Sequence, residues 1–289
     1  MTKDVMFYRL SLAKKDAMQI STQNGRMTRR SFLVGAAVAS FALNAPTRDV
    51  MGETTKDTVF ELRQYTLYGG KRDALISLFE QNFIESQDAV GAHVIGTFRD
   101  LDDPDRFVWL RSFRDTQARP QALEAFYGSS PAWLAHKKEA NATMVDSDNV
   151  LLLRPISTLP GLRSSAPTRG SGVLYSVTIY YLDGVDEARF AAFFDQAFLP
   201  RLTALGVHPI AILTTSETPN TFPRLPIREH ERVFLWMARW PSEEDYASFA
   251  AQMRTWSGWR DKAPEAILPA FMRKPEQLRL EPTPRSPLQ

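Results

Sequence analysis

The sequence contains no cysteine, and only four of its 289 residues are histidine. The absence of cysteine excludes disulfide bonds, thiolate metal ligands and cysteine nucleophiles. It also suits an oxidising compartment, where a free thiol is a liability. The histidines form no His-x-x-Glu-His or related zinc motif. The sequence therefore predicts no metal site, requires no cofactor, and leaves open whether one is used.

A strong charge of one sign is also missing. The 35 basic and 33 acidic residues give a net charge of +2, and the basic residues are dispersed along the chain. This distribution excludes a nucleic-acid partner. The chain has no Gly-x-Gly-x-x-Gly, no phosphate-binding loop and no Gly-x-Ser-x-Gly. Hydride transfer, kinase and triad-hydrolase chemistry therefore lack support, and whether the protein is an enzyme stays open.

No apolar run is long enough to span a membrane, which takes about 20 residues. The run "FLVGAAVASFAL" (Phe32–Leu43) is uncharged and has 12 residues. A basic segment, a short apolar run and then small residues are typical of a secretory signal. The stretch resembles a twin-arginine translocation signal. The residues that match the pattern are Thr28, Arg29, Arg30, Phe32 and Leu33.

This resemblance implies that the protein folds before export and has no stable membrane span after processing. The expected partner is the twin-arginine export machinery, and the expected location is the periplasm or beyond it. Residues 1–55 are then signal and lead-in and do not belong to the fold. The alternative is a chance arginine pair before a buried helix.

The remaining sequence repeats itself. With an offset of 115, "GAHVIGTF" (Gly91–Phe98) aligns with "GVHPIAIL" (Gly206–Leu213). With an offset of 127, Trp109 aligns with Trp236. The offset changes because the second copy carries a longer loop (Thr214–Glu231), which we interpret as a surface excursion or a lid.

Each copy has the pattern β-α-β-β-α-β, which is ferredoxin-like. The predicted domains are 56–156 and 173–284, joined by a Pro-, Gly- and Ser-rich linker at 157–172. Several strands, such as "VFLWMARW", are almost continuously apolar and should be covered on both faces. Helices cover one face. The sister sheet most simply covers the other, giving an α+β fold whose two domains pack sheet to sheet as a closed barrel within one chain.

The first copy resembles the NIPSNAP family of the dimeric α/β-barrel superfamily. That family opens with an E-x-R-x-Y-x-L strand followed by a glycine turn. The matching residues are Glu61, Arg63, Tyr65, Leu67 and Gly70. The second copy departs from the pattern, with Ser176 and Thr178 in place of the Glu and Arg. The resemblance implies a fold and an internal pseudo-dimer, but no settled reaction and no catalytic residue.

Two sets of residues are candidates for a ligand pocket. His93 and His208 start equivalent strands, and we interpret them as structural, pocket-lining or, least favoured, metal-binding. Trp109 and Trp236 are core residues or the wall of an apolar pocket, which would form if side chains do not fill the barrel.

The second set is charged. By alternation, Glu61, Arg63 and Tyr65 share one face of their strand, and Arg111 shares a face with Trp109. They form a structural ion pair or hold an anionic or carbonyl ligand.

Two functions follow from the sequence. The first is an exported NIPSNAP-type module that binds a small apolar ligand or a protein partner. The alternative is a periplasmic barrel enzyme of the monooxygenase, isomerase or haem-dependent type. Fold alone does not choose between them.

Overall fold

The structure, a computed structural model, describes residues 57–156 and 172–289. The predicted signal region at 1–55, with its motif Arg29, Arg30, Phe32 and Leu33, lies outside the described residues. So does nearly all of the predicted linker. The described residues belong to one compact unit.

The first half follows the predicted order, with a pair of consecutive helices at each helical position. Its elements are β1 (Val59–Leu67), α1 (Arg72–Asn82), α2 (Ile84–Asp88), β2 (His93–Asp100), β3 (Arg106–Phe113), α3 (Ala118–Glu124), α4 (Pro131–Asn141) and β4 (Met144–Pro155). A single π-type turn, Ala125–Ser129, joins α3 to α4.

The second half repeats this order. Its elements are β5 (Leu174–Tyr181), α5 (Glu187–Phe193), α6 (Leu199–Ala204), β6 (Ala211–Thr215), β7 (Val233–Trp240), α7 (Glu243–Thr255), α8 (Pro269–Met272) and β8 (Glu276–Pro282). Between α7 and α8 the chain forms two short 3₁₀ turns. Within the described ranges, no helix is both long and apolar enough to cross a membrane.

The strands close into one antiparallel barrel in the order β1-β3-β2-β8-β5-β7-β6-β4. Two seams join the halves. At one, β2 pairs with β8 through Phe98 and Pro282; at the other, β4 pairs with β6 through Leu153 and Thr215. The predicted α+β fold with a closed intrachain barrel is confirmed.

Apolar side chains from both halves fill the barrel. One continuous cluster contains Phe60 and Leu110 from the first half and Tyr175, Leu235 and Leu278 from the second. Because side chains alternate along a strand, the neighbouring residues face outward, beneath the helices. Trp109 and Trp236 belong to two such outer clusters. A ligand site that involves them therefore lies between sheet and helices, not inside the barrel.

The repeated Gly-x-His segments are explained by helix termination. Gly91 and Gly206 have φ of +84° and +73°, a left-handed conformation that favours glycine. The next residue closes the helix end in both copies, Ala92 N–H donating to Gln87 O and Val207 N–H to Leu202 O. This pattern is that of a Schellman cap, and it requires the glycine rather than the histidine.

We predict that a cavity at a seam weakens both halves together. Leu153 is fully buried in the barrel core, so Leu153→Ala should lower the free energy of unfolding by about 2–5 kcal/mol. Hydrogen exchange should then accelerate in β3 and β7 alike, because the core is shared. Leu134→Ala, at a side chain that is 46% exposed, is the control and should change stability by less than about 0.5 kcal/mol. Faster exchange confined to β4 and its direct neighbours would contradict a shared core.

Candidate functional site: a buried arginine cluster

Glu61 in β1 is the centre of a buried cluster of charges. Its side chain is fully buried and faces outward beneath the helices. Its Oε2 accepts hydrogen bonds from Arg63 Nη1 at 2.8 Å and from Arg111 Nε and Nη2 at 2.8 and 2.6 Å. Its Oε1 accepts one from Arg119 Nε at 2.7 Å. We call these four residues the arginine cluster.

The sheet positions two of the arginines. In the register of β1 and β3, Glu61 lies opposite Arg111 and Arg63 lies opposite Trp109. Cross-strand partners on one face are close enough to interact directly. The predicted ion pair on this face is therefore present, and Glu61 pairs with three arginines rather than with one.

Neighbouring side chains hold the outer atoms of the same guanidinium groups. In the helical layer, Arg111 Nη1 donates to Gln87 Oε1 of α2 at 2.7 Å and to the Tyr127 hydroxyl at 3.4 Å. Within β1, Arg63 Nε donates to the Tyr65 hydroxyl at 2.9 Å. Burial raises the pKa of Tyr65, and Arg63 opposes that rise. The Tyr65 phenol is thus a neutral partner of Arg63.

Arg119 comes from α3 and connects the cluster to the second half. Its Nη1 donates to Asn220 Oδ1 and Thr221 Oγ1, both at 3.2 Å. These residues lie in loop 216–232, between β6 and β7. Phe222 of this loop is buried against the first half. The loop is thus packed over the site rather than being a free surface excursion.

The cluster carries an excess of positive charge. Three guanidinium groups and one carboxylate sum to +2, and no other carboxylate in the described ranges pairs with these arginines. Arg119 Nη2 is buried and has no hydrogen-bond partner. Burial lowers the pKa of Arg119, Glu61 raises it, and repulsion from Arg111 and Arg63 lowers it again.

The three cations hold Glu61 ionised. Burial by itself would raise the pKa of its carboxyl group. Attraction to Arg111, Arg63 and Arg119 outweighs burial and holds that pKa well below its usual range.

Aromatic rings line the cluster. The Arg63 guanidinium carbon is 5.4 Å from the Tyr65 ring centroid and 5.6 Å from that of Trp109. The Arg111 guanidinium carbon is 5.0 Å from the Trp109 centroid. The Trp109 indole N–H is buried and has no partner. Cation–π contact thus stabilises the arginines. Two buried donors at the cluster, Trp109 Nε1 and Arg119 Nη2, have no hydrogen-bond partner.

The structure brings together four of the predicted site residues and separates three. Arg63, Tyr65, Trp109 and Arg111 meet at the cluster. His93 does not, because its side chain is 56% exposed, with Nδ1 4.0 Å from Asp88 Oδ1. His208 is also exposed, and Trp236 lies in the second half.

The equivalent place in the second half has no charge. Ser176, Thr178 and Tyr180 lie opposite Ala238, Trp236 and Phe234, which matches the register of β1 with β3. Ser176, Thr178 and Ala238 replace Glu61, Arg63 and Arg111. Among the described residues, this charged cluster is therefore present in the first half and not at the equivalent place of the second.

Comparisons with known proteins agree with this architecture. A crystal structure of a candidate monooxygenase from Fusobacterium nucleatum superposes with a TM-score of 0.50 at 9% identity, covering 78% of this chain and 92% of that one. This similarity shows the fold, which is of the dimeric α/β-barrel type, and nothing of the chemistry.

Residues 60–160 match the sequence model of the NIPSNAP family, so the first half contains a NIPSNAP domain. An uncharacterised NIPSNAP-like domain protein from Burkholderia xenovorans is 24% identical, covering 37% of this chain and 91% of that one, with a TM-score of 0.33. A NIPSNAP family protein from Agrobacterium tumefaciens is 20% identical, covering 37% and 99%, with a TM-score of 0.33. No curated protein matches the chain.

We predict that Glu61→Gln destabilises the protein by about 3–5 kcal/mol near neutral pH, because it leaves three buried guanidinium groups without an anion. Glu124→Gln removes an exposed partner of Arg224 and should change stability by about 1 kcal/mol or less. Urea denaturation of both variants measures the difference. Equal effects would show that the buried network contributes no more than a surface pair.

The pH dependence of the same variant has a definite sign. The pKa of Glu61 is lowered on folding, so its stabilisation is complete above the ordinary glutamate pKa of about 4.3 and is lost as the pH falls below it. The stability gap between wild type and Glu61→Gln should therefore be constant from about pH 6 to 8 and shrink below about pH 4. A gap that closes near neutral pH would mean that Glu61 is not held ionised.

Proposed function

We propose that the protein is an exported small-ligand-binding protein whose ligand has an anionic group, held by the arginine cluster of the first half. The observation that carries the proposal is Arg119 Nη2, a buried donor without a partner beside an uncompensated charge of +2. Buried charges in proteins are normally paired, and each buried unsatisfied group needs an explanation. A ligand carboxylate would supply both a partner and a negative charge.

The surroundings favour a planar ligand. Trp109, Tyr65 and Tyr127 present ring faces and edges next to the guanidinium groups. Arginine binds carboxylates through two parallel N–H bonds, and its planar group stacks on aromatic rings. An aromatic or otherwise flat carboxylate satisfies both kinds of contact.

Loop 216–232 supports an entry route. Its tip contacts Arg119 through Asn220 and Thr221, and Arg224 pairs with Glu124 on α3. Behind the tip, the two legs of the loop and β4 line a cleft of about 350 Å³. The legs are tied to β4 by hydrogen bonds from Ser216 N–H to Leu152 O and from Arg228 N–H to Val150 O. An entry route at the tip therefore requires that the tip alone moves, which breaks the two hydrogen bonds to Arg119, the Arg224–Glu124 pair and the packing of Phe222.

The enzyme alternative has weaker support. A general base works best when its pKa is close to the working pH. The pKa of Glu61 lies well below its usual range, which makes this carboxylate a poor proton acceptor at neutral pH. The arrangement suits binding of an anion better than proton transfer.

The ligand proposal predicts charge-selective binding. Isothermal titration should show that benzoate binds at least about tenfold more tightly than benzamide, which has the same shape without the charge. Arg119→Gln should weaken benzoate binding by at least about tenfold, because the free donor is lost. Arg114→Gln, at a side chain that is 81% exposed, is the matched control and should bind benzoate like the wild type.

Two results would overturn this proposal. One is equal affinity for benzoate and benzamide. The other is unchanged benzoate binding in Arg119→Gln, with its fold verified by circular dichroism.

The export proposal rests on Arg29 and Arg30. The arginine pair is a receptor-read address, so replacing both with Lys should leave the full-length precursor in the cytoplasm. Arg26→Lys keeps the same charge in the same segment and should not affect export. Fractionation of cells that express each variant measures the distribution. Periplasmic protein from the double variant would show that another signal directs it.

A further inference from the structure

The second half contains an aromatic layer at the place that corresponds to the arginine cluster. We define this layer by Tyr180, Phe190, Phe193, Phe198, Trp236 and Phe271. It lies between β5 and β7 on one side and the helical cover on the other. On the outer face of these two strands, Ser176, Thr178 and Ala238 replace the charged residues of the first half.

One polar atom in this layer is unused. The Trp236 indole N–H is buried, with the residue 3% exposed, and has no hydrogen-bond partner. It is near enough to the Tyr180 hydroxyl to act on the pKa of that phenol, but it makes no well-aligned hydrogen bond with it. Burial raises the pKa of Tyr180, which the indole N–H opposes, and the phenol stays neutral. A buried donor without a partner loses its bond to water and gains nothing in return.

Phe271 fills the space between the rings. Its ring centroid is 4.5 Å from that of Trp259, with an interplanar angle of 27°. It is nearly parallel to Phe198, at 12° and 6.4 Å. It also contacts Tyr180 at 5.8 Å. The Phe271 ring thus lies between the rings of Trp259 and Phe198 and next to that of Tyr180.

Segment 257–272, which carries Phe271, is held by apolar packing. All hydrogen bonds of this segment within the described part of the chain are made inside it, such as Ile267 N–H to Pro264 O. Met272, next to Phe271, is 87% exposed, and Leu268 is 40% exposed. Among the described residues, moving the segment outward therefore breaks apolar packing but no hydrogen bond with the rest of the structure.

From these observations we infer that the second half has its own binding site, for a neutral planar aromatic molecule with an oxygen acceptor. The ligand takes the position of the Phe271 ring, and its oxygen accepts the Trp236 N–H. The neutral strand positions Ser176, Thr178 and Ala238 distinguish the site from the arginine cluster, because no strand residue here supplies a counter-ion for a buried anion. The inference does not depend on the proposed anion site.

The probe is 1-naphthol, which is flat, neutral at pH 7 and carries one hydroxyl oxygen. Trp236→Phe keeps an aromatic ring but removes the N–H, and it should weaken binding about tenfold. Trp133→Phe makes the same change at a half-buried tryptophan of α4 in the first half, outside both proposed sites, and should leave the affinity unchanged. Phe271→Ala empties the space and should bind 1-naphthol more tightly than the wild type does. Isothermal titration gives all four affinities.

Several outcomes would overturn the inference. They are no binding to Phe271→Ala, an equal loss in Trp236→Phe and Trp133→Phe, or no loss in Trp236→Phe. Thermal unfolding verifies that each variant is folded; if Phe271→Ala is not, Phe271→Leu replaces it. Saturating 1-naphthol should leave benzoate binding unchanged, and competition between them would show that the two molecules share one site. Failure of the benzoate experiment alone would leave the 1-naphthol result standing.

Discussion

Closure of the barrel is the constraint on which the rest of the structure depends. Each half forms a four-stranded sheet with a mostly apolar inner face, and among the described residues the opposite half provides most of its cover. The interior is filled by residues such as Phe60 and Leu278, and Gln64 is a buried polar side chain among them. The buried charges of the arginine cluster lie instead on the outer face, between sheet and helices. Both candidate sites lie in that layer.

A fixed register then determines which outer side chains meet. In each half, three cross-strand pairs place the same positions together, and the residues at those positions decide the site. Glu61 and Arg111 face each other in the first half, whereas Ser176 and Ala238 do so in the second. Once one carboxylate and two guanidinium groups are buried in this way, the remaining partners must come from the helical layer, which supplies Gln87 and Arg119.

Much of this could be predicted from the sequence because repeats and alternation are local signals. That Glu61, Arg63 and Tyr65 share one face could be predicted because side chains alternate between the two faces along a strand. Arg119 was missed, although Ala122, Leu123 and Phe126 follow it at helical spacing and place it on the buried face of α3. The contacts of Asn220 and Thr221 with Arg119 could not be predicted from the sequence. The two residues lie 101 and 102 positions from Arg119 along the chain, and an inserted loop brings them next to it.

The covalent link between the halves explains why the two sites differ. In a barrel built from two identical chains, any substitution appears on both sides, and a charged cluster would be duplicated. Within one chain, each half can change independently provided that the inner faces still fit. The first half uses this freedom to keep Glu61 and its three arginines, which loop 216–232 of the second half completes. The second half replaces the same positions with small and aromatic residues. The helical cover differs accordingly, with α2 and α3 supplying Gln87 and Arg119 to the charges and segment 257–272 packing its apolar residues on the aromatic layer.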